Sequence, residues 1–104
     1  MAVVYEKEHA PRVEIDPNVE PFLATRPLLK EQLADVIARS RRLFPIEPLR
    51  VYVERDPDDY EWETLVFAFE SPSDDALDRV VQFMDEDLAA LMRSFPTEIV
   101  ATTA

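Results

Sequence analysis

The sequence predicts an α+β domain in which an antiparallel sheet carries two helices on one face. Three observations lead to this class. Residues 29–44 and 77–95 each repeat apolar side chains at spacings of three and four, the period of a helix with one buried face. Between them Leu49, Val51 and Val53 alternate with Arg50, Tyr52 and Glu54, and residues 60–70 continue the alternation, the period of strands. Both helical stretches close on Phe-Pro, at Phe44-Pro45 and Phe95-Pro96, and β-favouring sequence follows each time. With a strand at the N-terminus the order is strand, helix, strand, strand, helix, strand, that of the split βαβ or ferredoxin-like arrangement. A helix-hairpin-helix core with irregular ends is the alternative.

The chain of 104 residues is one domain, with residues 1–24 partly irregular. Val3, Val4 and Tyr5, then Val13 and Ile15, favour a strand that charges and Pro11 interrupt. Asp16-Pro17-Asn18 forms a turn or one helical turn, and Pro21 and Pro27 exclude a long helix there. The first long helix starts at a Thr25 cap with Pro27 in its first turn. Leu29, Leu33, Val36, Ile37, Ser40, Leu43 and Phe44 form its apolar face, and Pro45 ends it. Arg39, Arg41 and Arg42 then complement the carbonyls of its last turns. Asp56-Pro57-Asp58-Asp59 makes a type I turn without glycine.

In the second strand Leu65, Phe67 and Phe69 face the core, leaving Tyr60, Trp62, Thr64, Val66 and Ala68 opposite. Ser71-Pro72-Ser73-Asp74 caps the second helix, read as continuous to Phe95 with Leu77, Val81, Met84, Leu88 and Leu91 on its core side. Residues 97–102 read as a short final strand or a loose tail.

Composition excludes much chemistry. There is no glycine, which removes phosphate-cradling loops, dinucleotide fingerprints and nucleophile elbows, and no cysteine, which removes disulfides and thiolate sites. His9, the sole histidine, has no serine or cysteine at a diagnostic spacing. Asp56, Asp58, Asp59, Glu61 and Glu63 invite a calcium reading, but Glu61 and Phe67 stand where a calcium loop needs glycine and glutamate. No enzyme, cofactor or metal site is expected. Residues 1–8 carry no secretion pattern and no apolar run spans a membrane, so a soluble, cytoplasmic protein is expected.

Charge is the clearest functional signal. Residues 1–55 hold nine acids and nine bases, whereas residues 56–104 hold thirteen acids against Arg79 and Arg93, so the whole net charge of −11 lies there. Such a field repels nucleic acid and attracts basic protein surfaces, while also raising solubility. Asp58, Asp59, Glu61, Asp74, Asp75, Asp78, Asp85 and Glu86 are the candidate partner-binding residues. A solvated face and a docking surface are both open readings of them. Tyr52, Trp62 and Val66, on a strand face that two helices opposite cannot cover, are candidates for self-association as a homodimer.

The runs Arg50-Val51-Tyr52-Val53-Glu54-Arg55-Asp56-Pro57-Asp58 and Glu63-Thr64-Leu65-Val66-Phe67-Ala68-Phe69 precede an acidic helix ending in Phe95-Pro96-Thr97-Glu98. Over residues 50–98 this resembles the small acidic proteins encoded beside toxins in bacterial toxin–antitoxin pairs. The resemblance implies a non-enzymatic protein that binds and masks a basic protein, and includes no DNA-binding arm.

Overall fold

A computed structural model describes residues 12–56, 58–71, 73–95 and 99–103, with side chains described except at 56 and 59–61. The N-terminal strand residues Val3 to Tyr5, His9, and the prolines at 57, 72 and 96 lie outside this description. The α+β class holds. Strands β1 (Val13–Ile15), β2 (Leu49–Asp56), β3 (Asp59–Phe69) and β4 (Ile99–Thr103) form one sheet in the order β1-β2-β3-β4. Two short-range connections carry the helices: α1 (Val19–Ala24) and α2 (Pro27–Ser40) join β1 to β2, and α3 (Ala76–Glu86) and α4 (Ala89–Ser94) join β3 to β4.

The sheet is mixed, which corrects the antiparallel expectation. Only β2 and β3 pair antiparallel, from Leu49 opposite Phe69 to Val53 opposite Leu65, with an irregularity at Arg55 and Asp56 before the turn. β1 runs parallel to β2 and β4 runs parallel to β3. The ferredoxin-like order is also corrected, because each strand lies beside its sequence neighbour instead of being split by another. The physical reason is strand length. β1 has 3 residues, all exposed, and cannot serve as a central strand, which must fill two ladders and bury a face. It is held at the edge of β2 by backbone bonds, Leu49 N donating to Arg12 O at 2.9 Å and Asp16 N to Val51 O at 2.9 Å. Beyond β1 the Asn18 side chain continues the ladder, donating to Val53 O at 3.0 Å and accepting from Val53 N at 3.3 Å.

All helices share one face of the sheet. Leu49, Val51, Leu65, Phe67 and Phe69 point to that face and are fully buried, with Ile99 and Ala101 of β4 beside them. Val19, Phe22 and Leu23 of α1 and Leu29, Leu33 and Val36 of α2 cover one half. The rings of Phe44, Phe69 and Phe83 join the halves: Phe44 stacks on Phe69 with centroids 4.0 Å apart, and Phe83 meets Phe69 edge-on at 5.4 Å.

Two helix boundaries differ from expectation. Thr25 follows α1, its hydroxyl donating to Phe22 O at 3.3 Å, and Arg26 stands at the start of α2 ahead of Pro27. α2 stops at Ser40, so Leu43 and Phe44 reach the core from a turn closed by bonds to Ser40 O. The second long helix is broken into α3 and α4. Ala76, Val80 and Phe83 face the core at helical spacing, and the next core residues are Leu88 and Leu91. A straight helix would bring 87 and 90 to that side. The chain inserts one residue at the break, where Leu88 N bonds Phe83 O at 3.0 Å, five residues back. As a consequence Leu77 and Val81, expected in the core, are 66% and 45% exposed, and Met84 is half-buried.

Candidate docking surface

The surface of α3 is shaped by where its one arginine goes. Arg79 turns inward and ties three segments together: Nη1 donates to Leu43 O and to Glu47 Oε2, each at 2.9 Å, and Nη2 donates to Ser71 Oγ at 3.1 Å. Its guanidinium lies 4.7 Å from the centroid of the buried Phe44 ring. Nε stands 3.2 Å from Asp75 Oδ1 as an ion pair without hydrogen-bond geometry. Partial burial pushes the Glu47 carboxyl up. The Arg79 hydrogen bond and the backbone N–H groups of Glu47 and Ile46 outweigh that and hold it below the ordinary carboxylate range.

With Arg79 withdrawn, the outer face of α3 carries no base. Asp74, Asp78 and Asp85 are exposed and form no ion pair with any described residue. The remaining candidates on this helix are engaged. Asp75 accepts from the Ser73 hydroxyl, which with Arg79 lowers its pKa. Glu86 accepts from Arg42 at 2.8 Å and from Gln82 at 3.0 Å, both of which lower its pKa, and the Arg42 bond in turn raises the pKa of the guanidinium. Arg42 also reaches Asp87, 3.2 Å away. Asp58 sits at the hairpin turn, the full length of β3 from Asp74, so the hairpin acids and the acids that open α3 belong to opposite ends of the sheet. The side chains of Asp59 and Glu61 lie outside the described residues.

Sequence reasoning missed the apolar part of this surface. Leu77 and Val81 lie on the exposed flank of α3 beside Asp78 and Asp85, and the flank runs into a groove of about 520 Å³ lined by Met84, Asp85, Ala89, Met92 and Arg93. The five-residue step from Phe83 to Leu88 was the available signal, since it cannot stay on one side of a straight helix.

The proposed self-association residues lie on the opposite face of the sheet. Tyr52 pairs across the strands with Val66, and Val66 with Val100. Val66 is only 3% exposed within the single chain and Tyr52 is half-buried beneath Arg50, 4.7 Å from its ring, so of the three only Trp62, at 46%, is open. The face is polar at its margins, where Arg50 pairs with Asp16 at 2.8 Å.

A second concavity of about 410 Å³ lies between α1 and the hairpin. Its polar groups are committed internally: Asn18 to Val53, Arg55 to Glu63 at 2.6 Å, and Arg26 to Phe22 O at 3.0 Å. The Thr25 hydroxyl there donates to Phe22 O. Among the described residues no three His, Cys, Asp or Glu side chains converge as metal ligands, and no helix is long and apolar enough to cross a membrane. No protein-family model, curated protein or solved structure matches the chain.

Proposed function

We propose that this protein is a non-enzymatic, cytoplasmic, antitoxin-like binding module whose acidic surface docks and masks a basic protein. The observation that carries this reading is the inward turn of Arg79, which leaves Asp74, Asp78 and Asp85 on the outside of α3 with no counter-ion among the described residues. An acidic face intended only for solvation needs no such segregation, whereas a docking face gains steering from charges of one sign. The test is the association rate with a recovered partner for wild type and for the triple variant Asp74→Asn, Asp78→Asn, Asp85→Asn. Slower association with an unchanged melting temperature supports the reading. An acidic partner, or a rate indifferent to the triple substitution, overturns it.

Self-association is a second reading favoured by β4. This edge strand, Ile99–Thr103, has neither charge nor proline, the usual guards against pairing with another chain. A homodimer joined there should dissociate in Val100→Lys while each protomer stays folded, as read by light scattering and circular dichroism. A monomeric wild type at high concentration removes this reading.

A further inference from the structure

We infer that the α3–α4 flank seats a basic amphipathic helix contributed by a partner protein; this rests on reading the acidic face as a docking surface. Leu77, Val81 and Met84 follow one another at steps of four and three, so they form a continuous strip along one side of α3. Leu77 and Val81 are exposed and Met84 is half-buried. The strip does not stop at the end of α3. The one-residue insertion turns Leu88 inward, and the groove between Met84, Ala89 and Met92 extends the strip. A helical guest lays side chains at the same steps of three and four into such a seam. An extended strand would instead pair with the backbone of β4, the sheet edge on which α3 packs, and would leave this side-chain strip uncovered.

Charge decides the guest. Asp78 and Asp85 are seven residues apart, two helical turns, and border the strip on the same side as each other. Neither has a counter-ion among the described residues. A second copy of this chain, packed through the same strip, would set these carboxylates against their equivalents, so self-pairing here is opposed. A guest with Lys or Arg flanking its apolar stripe places opposite charges there. Arg93 at the far rim marks where the acidic stretch ends, so the basic residues of the guest lie along 74–85.

The experiment measures binding of labelled peptides of about 18 residues, long enough to form a helix on the surface. One carries leucine at helical spacing with lysine flanks, the second has the same composition in scrambled order, and the third keeps the leucine pattern with glutamate in place of lysine. The first should bind wild type about tenfold or more tightly than the scrambled peptide, a difference of about 1.4 kcal/mol. The double variant Leu77→Ser, Val81→Ser should erase that difference with an unchanged circular dichroism spectrum, since both residues are exposed. Equal binding of ordered and scrambled lysine peptides overturns the helical seat and leaves charge-driven docking standing. Absence of binding by both lysine peptides, or equal binding of the glutamate peptide, overturns the docking reading together with it.

Discussion

Arg79 and Glu47 form a largely buried pair where α3 meets the α2–β2 and β3–α3 connections, with side chains 19% and 12% exposed. Removing one partner from such a pair leaves the other charge poorly solvated and its hydrogen bonds unmade. Arg79→Ala should therefore lower unfolding free energy by about 3 kcal/mol, measured by chemical denaturation. Arg79→Lys should recover little, because one ammonium cannot reproduce a planar fork that serves Leu43 O and Glu47 from Nη1 and Ser71 from Nη2. The pair also sets a pH dependence. The folded-state pKa of Glu47 lies below its ordinary value, so its contribution is present above the usual carboxylate range and is lost as pH falls through the folded value. Thermal midpoints recorded down to about pH 3 should fall less steeply in Glu47→Gln than in wild type. A parallel pair of curves would exclude this role. None of it was readable beforehand, because Arg79 lies on an acidic helix in sequence and only the fold brings residue 47 beside it. Arg41 and Arg42 teach the same lesson. They lie past the end of α2, Arg41 bonding Phe44 O and Glu47 O and Arg42 pairing with the end of α3, so they do more than complement a helix dipole.

At the scale of the element, α3 and α4 separate periodicity from burial. The apolar stripe marks two sides of a helix at once, and spacing alone does not say which one meets the sheet. Leu88→Ala should cost about 2–5 kcal/mol because Leu88 is fully buried, whereas Leu77→Ala should change the denaturation midpoint by little more than its helix propensity, within about 0.5 kcal/mol. Comparable losses at the two positions would contradict the break at Leu88. The hairpin was more legible. Its alternation placed Leu65, Phe67 and Phe69 on the core face, and all three are fully buried there, because a strand offers only two sides and the larger apolar set takes the covered one.

For the whole molecule, the decisive feature is the sorting of charge. Bases from the balanced first half are paired at the surface within the chain: Arg42 neutralises Glu86 and Asp87, Arg50 pairs with Asp16, and Arg55 with Glu63. What remains outside on α3 is of one sign. Association with a basic partner should accelerate at low ionic strength and lose most of that acceleration near 1 M salt, where the screening length is about 3 Å. Stopped-flow rates across a salt series provide the check, and a flat dependence would leave solvation as the role of these acids.

The amino-acid order by itself determined the α+β class, the hairpin with Leu65, Phe67 and Phe69 on its core face, and the segregation of acids into the second half, because each depends on local periodicity, turn chemistry or simple counting. The tertiary structure decided the rest. Strand order follows from which strand is long enough to be central, and a three-residue β1 goes to the edge whatever its propensities. The turning of Leu77 and Val81 to solvent follows from fitting Phe83 and Leu88 to the same core, which demands an inserted residue and so depends on which stripe meets the sheet. The bareness of the acidic face follows from Arg79 finding three acceptors and an aromatic ring inside, a choice made by contacts between segments more than thirty residues apart in the chain for Leu43 and Glu47.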